Sequence, residues 1–191
     1  MKGIVFTLCL LLSVGLASAN TIYVGSGHTY TTIQSGINAA SSGDTVMVVA
    51  GTYQGSANKN IDFGGRNIVL MAESGPGSVT IDCQNSGRGF YFHSAETNAA
   101  EVNGFIIKNG SSTMGGGVNC TNSSPTFKYC IIASNSSPGS YGGGVYISNG
   151  GPAFIKCTIY QNSSQYGGAM YAAGSTMELN SCIVAANTAS G

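Results

Sequence analysis

The sequence predicts an all-β fold: a parallel β-helix, the chain winding as a solenoid, closed at its start by one short helix. Three observations carry that prediction. Gly115-Gly116-Gly117-Val118 returns as Gly142-Gly143-Gly144-Val145 and again as Gly167-Gly168-Ala169-Met170. Cys130, Cys157 and Cys182 recur at gaps of 27 and 25, and Asn109, Asn135, Asn162 and Asn187 at gaps of 26, 27 and 25. The unit also holds Phe-x-x-Cys-x-Ile-x-x-Asn, as in Phe154 to Asn162. Self-similarity at such a period marks a structural unit that buries its apolar face only by stacking on copies of itself.

Composition agrees. The 191 residues include 29 Gly, no Trp, and only seven basic and seven acidic residues, far below the charge content of about 25% in ordinary globular proteins. Apolar residues make up 42%, enough to build a core. A formal net charge of zero leaves no electrostatic footprint for nucleic acid. It also leaves little material for acid–base chemistry.

In chain order, residues 1–19 read as a secretory leader. Lys2 supplies the positive start, Ile4 to Leu12 the apolar run, and Ala17-Ser18-Ala19 a small-residue cleavage site. The run is too short to span a bilayer, and no second one follows. A secreted or cell-surface location is expected. Residues 20–50 form the N-terminal cap. Asn20 to Val24 is a strand, and Ile33, Ile37 and Ala40 fall on one face of a short helix, with Thr31 or Thr32 at its N-cap. Ser42-Gly43-Asp44 stops the helix, and Thr45 to Val49 is a continuous apolar strand of the kind buried on both faces. Gly51-Thr52-Tyr53 then turns away.

The succession Tyr30-Thr-Thr-Ile-Gln34, Ala39-Ala40, Gly43-Asp44-Thr45-Val46 and Gly51-Thr52-Tyr53 resembles the amino-terminal cap of the pectin-lyase-like superfamily. That resemblance implies a right-handed parallel β-helix (solenoid) whose short N-terminal capping helix covers the open end of the first coil. The Gly-Gly-Gly-Val units are similar, in part, to the polymorphic outer membrane protein repeats of bacterial surface proteins and adhesins. That repeat's usual Phe-x-x-Asn is replaced here by Ile132, Ile159 and Val184 before the Asn.

Residues 51–191 supply the rungs. Ile61 to Phe63, Asn67 to Met71, Val79 to Asp82 and Gly89 to Phe92 are the early strands, and Thr97 to Glu101 reads as a polar loop. Later rungs align in columns: Phe127, Phe154 and Leu179; Ile132, Ile159 and Val184; Val118, Val145 and Met170. Each column points inward. About 145 residues at roughly 26 per turn give between five and six rungs. The chain stops at Thr188-Ala-Ser-Gly191 with no polar capping element, so a continuation or a partner is expected on the open C-terminal rung.

Two ladders follow from the stacking. Asn135, Asn162 and Asn187 read as inward amides bonding the rungs above and below. Asn135-Ser-Ser and Asn162-Ser-Ser also match a glycosylation acceptor, but Asn122-Ser-Ser is the more loop-like glycan candidate. Cys130, Cys157 and Cys182 read as a ladder of reduced thiols, because rungs about 4.8 Å apart hold parallel side chains farther from one another than a disulfide requires.

Binding and catalysis have fewer candidates. The glycine runs precede no Gly-Lys-Ser/Thr and no helix, so they are corner glycines and not a phosphate loop. His28 and His93 stand alone, so neither a metal nor another cofactor is expected. Asp62, Asp82, Glu96 and Arg88 are the only conceivable catalytic cluster. The resemblance implies that lyases of this fold use carboxylates that hold Ca²⁺ with a basic residue to abstract a proton. From Gly104 onward the sole carboxylate side chain is Glu178, so a glycosidase pair cannot be assembled there. Tyr146 and Tyr171 follow inward residues and so face outward beneath Asn119, while Tyr141 and Tyr166 precede the glycine runs on one edge. Such columns can stack sugar rings of a polysaccharide or cell-surface glycan, or can simply brace neighbouring rungs; both readings stay open. The functional expectation is a binding scaffold, adhesin-like or carbohydrate-contacting, with a polysaccharide lyase or glycoside hydrolase as the alternative.

Overall fold

A computed structural model describes residues 18–191, so the anticipated leader, apart from its last two residues, lies outside the described residues. The described chain is a parallel β-solenoid of about seven turns with one short helix near its start. Four parallel sheets run along it. Sheet A has seven strands: Thr21–Val24, Thr45–Val48, Val69–Ala72, Glu101–Asn103, Thr126–Lys128, Ala153–Ile155 and Glu178–Asn180. Sheet B has six, from Gly51–Tyr53 to Ile183–Ala185. Sheet C has four: Phe90–Phe92, Val118–Thr121, Val145–Ser148 and Met170–Ala173. Sheet D has three: Ser136–Tyr141, Ser163–Tyr166 and Thr188–Ala189.

The rung count exceeds the expected five to six. Thr21–Val24 and Thr45–Val48 pair in register with each other, and the second pairs with Val69–Ala72, so the cap strands are themselves rungs. The anticipated columns stack directly: Phe127 on Phe154 on Leu179, Ile132 on Ile159 on Val184, and Val118 on Val145 on Met170. At the last described rung the inward side chains are open to solvent, Leu179 by 44% and Val184 by 46%.

Three local expectations are corrected. Thr45–Val48 is not buried on both faces. Val46 and Val48 are buried and Met47 only half so, since alternation turns Met47 to the outer face of sheet A. The polar loop ends earlier than expected, since Glu101 opens a strand of sheet A. Ile61 to Phe63 contributes only an isolated bridge from Ile61 to Phe90.

The helix spans Ile33–Ala39. Thr32 caps it: its hydroxyl accepts from the Ser35 N–H, and Ser35 reciprocates in a capping box. Gly36 is required where the helix crosses the first strand, since a Cβ there would lie 2.2 Å from Val24 Cγ2. The Arg66 guanidinium closes the far end, donating to the carbonyls of Ile37, Asn38 and Ala40. Inside the coil, Phe63, Phe90, Phe92, Phe105, Phe127 and Phe154 are fully buried. Phe127 and Phe154 stack with centroids 5.1 Å apart. Each such ring contributes about 1.5–3 kcal/mol by burial.

One rung shows how the corners are made. From Ala153–Ile155 in sheet A the chain passes Lys156, at φ 53°, and Cys157 into Thr158–Tyr160 in sheet B. It then passes Gln161, at φ 54°, and Asn162 into Ser163–Tyr166 in sheet D. Tyr129 and Ser134 hold the same left-handed geometry one rung earlier, and Ser181 and Ala186 one rung later. These residues are neither Gly nor Asn, so each corner costs about 1–2 kcal/mol. The Cys or Asn that follows supplies the compensating bonds. The corner from sheet D to sheet C is glycine's: Gly142 has φ 67°, and a Cβ on Gly143 would strike the Ser163 and Gly168 carbonyls at 2.4 and 2.5 Å.

Candidate functional site

The Asn ladder occupies the corner between sheets B and D. Asn162 donates through Nδ2 to the Ile132 carbonyl (2.9 Å) and to Asn187 Oδ1 (3.0 Å). Its own Oδ1 accepts from the Asn135 backbone N–H and from Asn135 Nδ2, both at 3.0 Å. Asn135 in turn bonds the Ile107 carbonyl and the Gly110 N–H. Asn135 and Asn162 are each 1% exposed, so neither sequon is open to modification in the fold. Asn122 is exposed.

Cys130, Cys157 and Cys182 line the corner between sheets A and B as free thiols. Each donates to a carbonyl of its own rung and to one of the rung below: Cys130 to Lys128 and Val102, Cys157 to Ile155 and Phe127, Cys182 to Asn180 and Phe154. Burial pushes the Cys83 thiol up to about 12 and raises Cys120 and Cys130 as well.

The polar residues of the early coils are not gathered into one cluster. Asp62 Oδ2 lies 3.2 Å from His93 Nε2, and His93 stacks on Tyr91 at 4.1 Å. The Arg88 guanidinium lies over the same Tyr91 ring, 4.7 Å from its centroid. Asp82 faces elsewhere, on sheet B, where it accepts from Asn109 and Gln54 and stands beside Lys108. Glu96 is 1% exposed and accepts from the Gly65 and Ser94 N–H groups and from the Ser123 hydroxyl. It organises a loop from inside. His28 stacks on Tyr23 at 5.3 Å. Among the described residues, no group of three or more His, Cys, Asp or Glu is placed to hold a metal ion.

The tyrosines converge. Tyr146 pairs with Tyr171 in sheet C, rings parallel within 2° and centroids 6.1 Å apart. Tyr141 pairs with Tyr166 in sheet D at 5.3 Å, and Tyr141 also reaches Tyr171 at 4.5 Å. Four rings from two rungs thus form one patch across the corner between sheets D and C. Sequence spacing placed them in two separate columns; only the folded corner joins them. Tyr166 is 41% exposed and the other three are half-buried. Met114, exposed, continues the Tyr141 column one rung back.

Asn119 does not join this surface. It sits in register beneath Tyr146, but it is 4% exposed. Tyr91 and Tyr146 flank it on the adjacent strands, and its amide is spent on the Met114 carbonyl and the Thr121 hydroxyl.

Beside the tyrosines, sheet D presents a column of hydroxyls: Ser111, Ser136, Ser163 and Thr188. Residues 138–140 bulge out of register there, and Pro138 and Gly139 wall an open groove of about 210 Å³ together with Gln165 and Ser190. A second polar groove, about 650 Å³, lies at the corner between sheets C and A, lined by Ser124, Asn149, Ser175 and Thr176. Comparison with protein-family models, with curated proteins and with solved structures finds no match to this chain. Among the described residues no helix is long and apolar enough to cross a membrane.

Proposed function

We propose that the chain is a secreted or surface-displayed β-helix scaffold that contacts carbohydrate through the corner of Tyr141, Tyr146, Tyr166 and Tyr171. One observation carries this reading. Four partly exposed aromatic rings form a contiguous patch beside a partly exposed hydroxyl column and groove. Sugar recognition needs both parts, an apolar ring face for the C–H side of a pyranose and hydroxyls or amides for its edge. The bracing role of the same tyrosines is compatible with this, since rings 4.5–6.1 Å apart support one another while leaving Tyr166 accessible. The resemblance to pectin-lyase-like and outer-membrane-repeat proteins, and with it a right-handed coil, belongs to the same proposal.

The alternative reading, a polysaccharide lyase or hydrolase, draws support from the Asp62–His93 pair beside Tyr91 and Arg88. Fold analogy adds nothing specific to it. Glycan-array binding of the wild-type chain and of a Tyr146→Ala/Tyr171→Ala variant tests the first reading, and unchanged binding refutes the tyrosine platform. Release of unsaturated or reducing sugar from polysaccharide, with and without Ca²⁺, would establish the second.

A further inference from the structure

We infer that the ligand of the tyrosine corner is an uncharged, extended polysaccharide of the β-1,4-linked kind, lying parallel to the solenoid axis; this rests on the carbohydrate-binding reading above. Charge is the first observation. From Asn109 to Gly191 the only charged side chains are Lys128, Lys156 and Glu178. Lys128 and Glu178 lie in sheet A, and Lys156 lies in the turn leaving it. Sheets C and D therefore carry no charged side chain over that stretch. A carboxylate or sulfate of an acidic polymer would lose water against the tyrosines with no cation to meet it. A neutral sugar incurs no such cost. The uncharged stretch stops at Tyr91, where Arg88 sits over the ring.

Periodicity is the second observation. Equivalent groups repeat once per rung along the axis: Tyr141 and Tyr166, Tyr146 and Tyr171, and the column Ser111, Ser136, Ser163 and Thr188. Rungs stand about 4.8 Å apart. An extended β-1,4-linked chain advances by nearly that length per pyranose and stays straight, so successive sugars meet successive rungs. An α-1,4-linked glucan curls away after one or two units. A chain laid across the axis would meet one rung only and leave the repeat unused.

The test uses the full chain with cello-oligosaccharides of two to six units, maltohexaose and polygalacturonate, measured by calorimetry at low and high salt. Affinity is expected to rise from two to four cellulose-type units and then level off, with little salt dependence. Tyr141→Ala alone and Tyr166→Ala alone should each weaken cellotetraose binding about tenfold, the value of one aromatic contact. Ser163→Asp, at an exposed position, gives the same loss without touching the aromatic packing. Tyrosine-dependent binding of polygalacturonate or maltohexaose in preference to the cello-oligosaccharides overturns this inference and leaves the carbohydrate reading standing. Sensitivity to the variants of one rung only overturns the axial placement. No binding of any of the three overturns both.

Discussion

Replacing Asn162 by Ala tests the ladder that holds the solenoid's corners. The substitution strips the partner from one buried backbone group, the Asn135 N–H, which donates to Oδ1 at 3.0 Å, and removes the side-chain donor (Nδ2, 2.9 Å) from the Ile132 carbonyl, which keeps its place in the sheet B ladder. Neighbouring amides keep other bonds, since Asn135 Nδ2 still reaches the Ile107 carbonyl and Asn187 Oδ1 still accepts from the Asn162 N–H. One unpaired buried N–H at about 1–3 kcal/mol and one lost hydrogen bond at about 0.5–1.5 kcal/mol give an expected loss of about 1.5–4.5 kcal/mol, a large part of the total stability of a domain this size. Asn162→Asp should be no milder, because a carboxylate keeps the acceptor but turns an oxygen toward the Ile132 carbonyl. Urea unfolding followed by far-ultraviolet circular dichroism and by tyrosine fluorescence gives the number, and coincident curves license a single free energy for a stacked repeat. Asn98→Ala, at an exposed position, is the control. A loss below about 1 kcal/mol for Asn162→Ala, or one equal to the control, would refute the reasoning.

Other consequences are smaller or differ in kind. Gln161→Gly should stabilise the chain by up to about 1 kcal/mol, because the exposed residue at φ 54° carries a left-handed strain that glycine lacks; a lower urea midpoint would contradict it. At Glu96, burial raises the pKa, but the hydrogen bonds from Gly65, Ser94, its own N–H and Ser123 together outweigh it, so the carboxyl titrates below its usual value. A depressed folded pKa contributes stability above the unfolded value of about 4.3 and loses it as pH falls through the folded value. Thermal midpoints should therefore drop on acidification below about pH 4, and Glu96→Gln should be less stable at neutral pH with a flatter acid limb; parallel pH profiles would count against this. Iodoacetamide on the native chain at pH 8 should spare the buried Cys83, Cys120, Cys130 and Cys157 and label the half-exposed Cys182 first. A disulfide between neighbouring rungs, seen by non-reducing mass spectrometry, would overturn the thiol ladder.

How much was legible in the residues follows from the repeat. A solenoid's register is one-dimensional: once Cys130, Cys157 and Cys182 are aligned, every residue at the same offset is stacked, and Phe127, Phe154 and Leu179 must fall in file. Inward and outward faces then follow from alternation. The signal weakens toward the N-terminus, where the rungs share no repeated motif, and there the rung count and the burial of Thr45–Val48 departed from expectation.

What sequence alone determined, then, is the stack, its cap, and the identity of each column, because these rest on contacts between residues one period apart. Lateral relations, from one sheet to the next around a corner, were decided by the tertiary structure. It joined Tyr141 to Tyr171, withdrew Asn119 into a buried hydrogen-bonded position, and dispersed Asp62, Asp82 and Glu96. Those relations depend on the angle of each corner, which left-handed residues such as Gln161 and Gly142 set. A backbone dihedral at a non-glycine residue leaves no mark in the pattern of apolar and polar side chains.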